Sequence, residues 1–594
     1  MSHISELCRF MAQNQIDAWI IPSADPHLSE YLPEHWQARR YFSGFTGSVG
    51  TLVVTAEQAG LWVDSRYWEQ AAAQLEGSGI ALCKLGVTDD YPQWLLGQLT
   101  KGAKVGIAAD MLSVALHRRL LEVFAEKSLH LTLFDSLPAE LWKARPNLPR
   151  STVYPHLAAF VAQSTSEKLA HIRHEMQRLG ADWHLISSLD DIAWLTNLRA
   201  DDVPYNPVFL AYLLIGKNSA LLFVDDSRLN DEARTRLSES VITCMPYEAL
   251  GQQLAALPEV QSLLLDPAKT AMSSRLSLPS TMHLIEDLNP SSYAKSIKSA
   301  AELAHLRETM AQDGAALCRF YAELEAKLAA GQCVTEWDID GMLLASRRLV
   351  PHFISHSFGT IAAFNANAAL PHYSASEQHS AQITGNGLLL IDCGGQYQGG
   401  TTDITRVSPI GTPSDAQKTD FTRVLQAHIA LAEAVFPEGI SAPLLDAIGR
   451  EKLWRHQCNY GHGTGHGVGF FLNVHEGPQV ISYHSAVTPQ TAMREGMVTS
   501  NEPGLYRPGK WGIRIENLVA NRMVSRPQET DFGRFMYFET LTLFPIDSRL
   551  IVRELLTQNE IDWLNDYHLE VREKLLPLVE GAAKAWLIER TEAL

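Results

Sequence analysis

Five residues in the last third of the chain have the types and spacing that hold divalent metal ions: Asp392, Asp403, His466, Glu502 and Glu516. The two aspartates lie in LLLIDCGGQYQGGTTDITR, equidistant from the Tyr397–Gln398 centre, with Gly394, Gly395, Gly399 and Gly400 available for a reversal. An antiparallel hairpin folded there sets Asp392 opposite Asp403, with both side chains on one face. The two glutamates lie in NEPGLYRPGKWGIRIEN, equidistant from Gly509, with Pro508 beside it as turn chemistry. Each hairpin therefore presents a carboxylate pair. Four carboxylates packed together repel and shift one another's pKa unless cations neutralise them. Two divalent ions match that charge, and a water shared between them becomes a strong nucleophile. Either pair alone reads better as solvated turn acids. Both pairs together, with a histidine between them in GHGTGHGVG, reverse that preference. A mostly oxygen ligand set with one imidazole suits Mn²⁺, Co²⁺ or Zn²⁺. Cys393 adjoins Asp392 but faces the other side of its strand, outside the ligand set.

Further candidates surround the set. His462 lies four residues before His466, His475 follows in NVHEGP, and His372 precedes the first hairpin in LPHYS. Taken singly, each reads as an ordinary surface or packed histidine among the 22 in the chain. Arg514 shares a strand face with Glu516, where it either orients the glutamates through charge-assisted hydrogen bonds or simply balances acid charge. The glycines of GHGTGHGVG do not form a nucleotide loop. They lack the GK[ST] ending of a P-loop and a G-x-G-x-x-G register after a clear strand. Glycine there lets backbone pass close to metals and to a bound peptide.

The elements that position these residues follow from repeats and capping signals. Asp17-Ala-Trp-Ile-Ile-Pro-Ser-Ala-Asp25 has a counterpart in Asp182-Trp-His-Leu-Ile-Ser-Ser-Leu-Asp190, and LWVDSRYW from Leu61 echoes LFVDDSRL from Leu222. Each copy follows an amphipathic helical stretch, so one α/β unit is used twice. The ARPNLPR stretch around Pro146 and Pro149 reads as the linker between the copies, and the turn-like Asn289-Pro290-Ser291-Ser292 precedes a third unit that begins near Tyr293. Ser299 with Glu302 reads as a capping box for a helix that turns Leu303, Leu306, Met310, Leu317 and Phe320 inward. Ser414 and Gln417 cap a second long helix ending near Phe436-Pro437. The expected domains are therefore 1–150 and 151–292, both α/β modules, and 293–594, an α+β catalytic domain with a C-terminal extension.

Composition narrows the class. A net charge of −18, with both signs spread through the 594 residues, argues against nucleic acid or anionic membrane as partner. The first residues, MSHISELCRFMAQNQIDAWIIPS, show no basic segment followed by an apolar run. No apolar stretch reaches the ~18 residues that span a bilayer. Seven cysteines without a spacing pattern fit reduced thiols in the cytoplasm.

IDCGGQYQGGTTDITR, GHGTGHGVG, LNVHEGP, NEPG and IRIEN together resemble the motif series of the metal-dependent pita-bread peptidases, which include methionine aminopeptidase, prolidase and aminopeptidase P. PSADPHLSEY, RRYFSGFTGSVGT, WVDSRYW and DDIAWLTNLRADDVPYNPVF resemble the three-domain form of aminopeptidase P, so the likeness covers nearly the whole chain. It implies a creatinase-like first module, a second related module and a pita-bread catalytic domain. It further implies two divalent ions per chain, Mn²⁺ first, on the five residues above, and release of the N-terminal residue from peptides with proline second. In that mechanism Glu502 takes the proton from the attacking water. His475 and His462 support the tetrahedral intermediate and protonate the departing proline nitrogen, and His372 lines the pocket. The matching histidines bind substrate carbonyls, a role that near-neutral imidazole suits. Prolidase is the nearest alternative, but it is shorter and has one N-terminal module. A non-catalytic pita-bread binding module typically loses the ligands that are all present here.

The resemblance also implies a homodimer whose N-terminal modules restrict access to peptides with a free N-terminus. The segments Tyr41–Phe45 and Tyr205–Phe209, or a C-terminal helix around Trp563, Tyr567 and Leu576, are candidate contact surfaces, with core packing the alternative for the first two.

Overall fold

The repeated strand motif forms two sheets of the same topology in the computed structural model, which describes residues 3–594. In the first module, helix α1 (His3–Gln13) precedes strands β1 (Ala18–Pro22), β2 (Thr51–Thr55), β3 (Ala59–Val63), β4 (Ile80–Lys84), β5 (Lys104–Ala108) and β6 (His130–Phe134). Their order is β4-β3-β2-β1-β5-β6. The second module runs from α2 (Thr165–Leu179) through β7 (Trp183–Ile186), β8 (Tyr212–Gly216), β9 (Ala220–Phe223), β10 (Thr243–Met245), β11 (Ser262–Leu265) and β12 (His283–Glu286). Its order, β10-β9-β8-β7-β11-β12, repeats the first step for step. In both, the leading strand pairs antiparallel with one neighbour and parallel with the other. The two copies of the motif begin at β1 and β7, so the sequence repeat is a repeat of structure. These sheets belong to one compact unit, Met1–His156 with Gln163–Ser292. ARPNLPR has neither helix nor strand.

The second compact unit comprises Leu157–Ala162 and Tyr293–Leu594. Its backbone is α3 (Ala300–Ala329), whose N-terminus is closed by the expected Ser299–Glu302 capping box. Leu303, Leu306, Met310, Leu317 and Phe320 are buried along it. Helix α4 (Asp415–Ala432) opens on a second capping box, Ser414 with Gln417. It ends at Ala432 rather than near Phe436-Pro437, because the chain leaves the helix at Glu433 and enters strand β18 (Val435–Pro437). The tetrapeptide at Asn289 is likewise not a free turn: Pro290–Ser296 is helical. Pro290 is tolerated there because the N–H it lacks has no intrahelical partner in the first turn.

The strands that carry the candidate ligands are β14 (Gly387–Cys393), β17 (Ile404–Ile410), β19 (Gly465–Gly467), β21 (Val498–Asn501) and β24 (Asn517–Met523). Strand β13 (Ile361–Phe364) flanks β14, and β14 pairs antiparallel with β17. The short strands β15 (Gly395–Tyr397) and β16 (Gly400–Thr401) close that hairpin. With β20 (Glu476–Ile481) and β25 (Phe535–Thr540), a six-stranded sheet has the order β18-β25-β24-β21-β19-β20. A two-stranded ribbon, β22 (Gly504–Arg507) with β23 (Trp511–Arg514), extends from β21 and β24. Leu388, Leu389, Leu390 and Ile391 of β14 pack with Val424, Leu425 and Phe421 of α4 in the unit's main core.

The aromatic segments proposed as contact surface are mostly internal. Phe42, Phe45, Val208 and Phe209 are buried, and Tyr205 is the one aromatic ring of the two segments that is exposed. In α5 (Gln558–Leu575), Tyr567 is buried, and its hydroxyl donates to the carbonyls of Thr542 and Phe544. An amphipathic helix that packs against its own domain leaves Tyr567 unavailable to a partner.

Candidate metal centre

The two aspartates come together with a register different from the one expected. Asp392 pairs with Thr405, and Gln396 and Tyr397 pair with Thr401 and Gly400, so the reversal centres on Gln398–Gly399. Asp403 is thus offset by two residues from the position opposite Asp392. The cause is α3. A Cβ at Gly399 would meet Thr309 Oγ1 at 2.7 Å, and one at Gly400 would meet Leu306 Cδ2 at 2.4 Å. These glycines are spent on close approach to the helix, and the turn falls where that packing allows it. An offset of two preserves the face, since side chains alternate with period two.

The glutamate ribbon keeps the expected register. Asn501 pairs with Asn517 and Gly504 with Arg514, which sets Glu502 opposite Glu516 about a turn at Gly509 with φ of 70°. The backbone N–H groups of the pair point outward, as at a non-hydrogen-bonded position of an antiparallel ladder. Glu502 N–H donates to Thr464 O at 2.8 Å, beside the histidine strand, and Glu516 N–H donates to Thr405 O at 3.2 Å, on the aspartate strand. One residue pair therefore ties together all the ligand-bearing segments.

His466 is oriented by its surroundings. Its backbone N–H donates to Ser500 Oγ at 2.9 Å, and its Nδ1 lies 2.9 Å from Gly467 O. A carbonyl only accepts, so Nδ1 carries the proton and Nε2 presents a lone pair. Nε2 stands 3.6 Å from both Asp403 Oδ2 and Glu502 Oε1. Ligand atoms of Asp403, His466 and Glu516 all lie within 4.8 Å of one another. Gly465 permits the approach, because a Cβ there would sit 1.9 Å from Ser500 O.

Asp392, Asp403 and Glu516 are buried. Burial, then the neighbouring carboxylates Glu516, Asp392 and Glu502, push Asp403 well above the usual carboxylate range. Burial and the charges of Asp392 and Glu502 do the same to Glu516. Burial raises Glu502 to about 7 despite the opposing pull of Arg514 and His475. Asp392 Oδ1 is buried with no hydrogen-bond partner. An orphaned carboxylate oxygen among carboxylates that resist ionisation fits bound cations, which supply the missing partner and the missing charge.

Arg514 does not orient the glutamates by hydrogen bonds. Its Nη2 donates to Asp392 Oδ2 at 2.5 Å and to Pro371 O at 3.4 Å, next to His372. Its Nε donates to Thr405 Oγ1 at 3.1 Å, and Thr405 in turn donates to Glu516 Oε2 at 2.7 Å. Its Nη1 donates to Tyr506 OH at 2.7 Å, and that hydroxyl lies 2.8 Å from His462 Nε2. His462 Nδ1 faces Gly463 O at 2.7 Å, so the chain of donors runs from Arg514 through Tyr506 and His462 to the glycine loop. The His475 ring stands edge-on to His466, with centroids 4.4 Å apart. Cys393 faces away from the carboxylates, toward Arg347 Nη2 at 3.4 Å, and burial pushes its thiol up to about 12. Thr405, Tyr506 and Ser500 escaped the sequence reading. Their signal was even spacing from a ligand, which keeps a side chain on the same face: Thr405 two residues from Asp403, Ser500 two before Glu502 and Tyr506 four after it.

Comparison with known proteins agrees with this geometry. The model of metallopeptidase family M24 matches residues 304–521, and that of the C-terminal region of peptidase M24 matches 534–594. Models of the creatinase/prolidase N-terminal domain match twice, at 3–139 and 144–302, over the two repeated modules. Aminopeptidase P2 of Arabidopsis thaliana is 39% identical over 98% of this chain and 86% of its own. Xaa-Pro aminopeptidase 1 of Dictyostelium discoideum is 37% identical over 97% of this chain and 93% of its own. An X-prolyl aminopeptidase from Caenorhabditis elegans, described as a cytosolic enzyme with a di-nuclear active site, superposes with a TM-score of 0.94 at 30% identity and full coverage of both chains. An Xaa-Pro dipeptidase from Bacillus anthracis, at 25% identity and a TM-score of 0.50, spans 65% of this chain and 99% of its own. Matched from end to end by these aminopeptidases and only in part by the dipeptidase, the chain belongs to the Xaa-Pro aminopeptidases of metallopeptidase family M24.

Proposed function

We propose that the chain removes the N-terminal residue from peptides whose second residue is proline, using two divalent ions per chain held by Asp392, Asp403, His466, Glu502 and Glu516. The observation that carries the reading is the convergence of four carboxylates and one Nε2 lone pair, with Asp392 Oδ1 lacking any protein partner. Bound there, the ions supply a water-derived nucleophile and Lewis acidity toward the scissile carbonyl. Mn²⁺ is the preferred ion for an oxygen-rich set with one imidazole.

The protein groups carry the rest. Glu502 is the carboxylate placed to take the proton from the attacking water. His475, beside His466, is placed to deliver a proton to the departing proline nitrogen. His462 has both ring nitrogens engaged, by Tyr506 and by Gly463, and reaches a substrate oxygen only by exchanging one of these bonds for it. His372 lies next to Pro371, whose carbonyl accepts from Arg514. Arg514 fixes Asp392 and Thr405. The proline nitrogen belongs to a tertiary amide without an N–H, a bond that general aminopeptidases handle poorly.

We also infer three domains over 1–150, 151–292 and 293–594, a homodimeric assembly and a cytoplasmic location. The two repeated sheets and the free state of all seven cysteines support the division and the compartment. The acidic net charge of −18 supports peptides, rather than nucleic acid or membrane, as partners. Steady-state hydrolysis of Xaa-Pro-Xaa, Xaa-Pro and Xaa-Ala-Xaa peptides, with metal content measured on the same sample, tests the function. Preferred cleavage of Xaa-Pro-Xaa with about two ions per chain is expected. Equal rates on Xaa-Ala-Xaa, or full activity without metal, would overturn it.

A further inference from the structure

The glutamate ribbon contains a defect at the point where its ligands emerge. Ile515 N–H donates to Pro503 O at 3.3 Å, but Pro503 has no N–H with which to complete the reciprocal ladder bond. The carbonyl of Ile515, one residue before Glu516, therefore needs a donor from elsewhere. It receives one from α4. His428 Nδ1 lies 3.2 Å from Ile515 O and 3.1 Å from Asn501 O, the carbonyl one residue before Glu502. One imidazole nitrogen thus spans the two strands immediately behind the two glutamates.

The proton on that nitrogen is dictated by the partners. Both oxygens are carbonyls and only accept, so Nδ1 carries the hydrogen and shares it between them. Nε2 must then accept, and Asn517 Nδ2 stands 3.3 Å from it. The Asn517 amide is set in this sense by Arg406, whose Nη2 donates to Asn517 Oδ1 at 2.7 Å. Arg406 also donates through Nη1 to Glu516 O at 2.6 Å. Asn501 Nδ2 returns a bond to His428 O at 2.9 Å, which ties the helix backbone to the same strand. The imidazole is wholly buried, and burial followed by the charge of Arg406 lowers it to about 3. It stays neutral with one donor at working pH.

We propose that His428 is a positioning residue for the metal centre: its single Nδ1–H clamps the backbones behind Glu502 and Glu516 and so sets the spacing of these two carboxylates. The inference rests on the reading of both glutamates as ligands. His428 touches neither substrate nor metal, and it acts through the ribbon. Partners of this outer kind typically change metal affinity by about 10–100-fold when removed.

Two size-conservative substitutions separate the clamp from ordinary packing. His428→Asn keeps an amide donor at the place of Nδ1, whereas His428→Gln carries its amide to the place of Nε2 and leaves the two carbonyls without a donor. The measurements are Mn²⁺ affinity by calorimetric titration of the metal-stripped full-length protein, metal content, thermal midpoint without metal, and kcat and KM on one Xaa-Pro-Xaa peptide. His428→Gln is expected to weaken Mn²⁺ binding by about 10–100-fold and to lower kcat more than KM changes, while His428→Asn restores both toward the parent. Unchanged Mn²⁺ affinity in His428→Gln, or equal loss in both variants alongside an equal fall in the metal-free midpoint, overturns the clamp. Glu502→Gln on the same titration serves as control. If it leaves Mn²⁺ binding intact, the ligand reading fails rather than the clamp.

Discussion

Stripping the metals should leave a protein that loses stability as pH rises toward neutrality, the reverse of the usual behaviour of buried acids in ion pairs. The reason lies in Glu502, raised by burial from its ordinary 4.5 to about 7 in the metal-free chain. Its folded pKa exceeds its unfolded pKa, so the folded state holds the proton more tightly, and unfolding becomes easier as pH climbs from about 4.5 to about 7. At ~1.4 kcal/mol per tenfold change, Glu502 alone accounts for about 3 kcal/mol. Asp403 and Glu516 shift in the same direction and add to the effect. Excess Mn²⁺ binds the ionised carboxylates and stabilises the folded state by mass action, so the difference between loaded and stripped protein should grow with pH. Buried histidines such as His27 and His184, held neutral by burial, contribute the opposite slope, but equally in both forms, and cancel in the difference. The assay is the thermal midpoint of stripped and Mn²⁺-loaded protein at intervals between about pH 5 and about pH 8. With roughly 2 °C per kcal/mol for a unit of this size, the gap should widen by about 6 °C or more. A gap that is constant with pH, or that narrows toward pH 8, would refute the account of the carboxylate cluster.

Asp403→Asn and Glu502→Gln should each abolish turnover, measured on an Xaa-Pro-Xaa peptide, because one lost charge leaves the cations under-compensated. His475→Ala should lower kcat by about 10²–10⁴-fold, the usual contribution of a positioned acid or base, with metal content unchanged. Loss of metal in that variant would place His475 among the ligands instead. Arg514→Met leaves Asp392 Oδ2, Thr405 and Tyr506 without their shared donor. Removing one partner of a buried pair costs about 3–5 kcal/mol, so the metal-free protein should melt well below the parent. An unchanged midpoint would mean that Arg514 merely balances acid charge. Light scattering at micromolar concentration should report twice the chain mass, and a value near 65.9 kDa excludes the dimer.

The amino-acid sequence by itself determined which acidic side chains and histidine come together in the candidate site and how the glutamates face each other. The ribbon register depends on a tight turn at Gly509 and on ladder pairing of adjacent strands, both local in the chain. The Ser299–Glu302 and Ser414–Gln417 caps, and the repetition that became two sheets of one topology, were legible for the same reason. Tertiary structure decided what depends on contacts between distant segments. The aspartate hairpin moved its reversal because α3 occupies the space that side chains at Gly399 and Gly400 would need. Arg514 took a partner 122 residues away in place of the glutamates beside it. Tyr567 turned from a surface candidate into a core hydrogen-bond donor, since the irregular segment after β25, which accepts from it, covers that face of α5. His428 gave no sequence signal at all. Its importance lies in a backbone carbonyl left over opposite Pro503, and such a deficit exists only once the strands have paired and the helix has packed behind them.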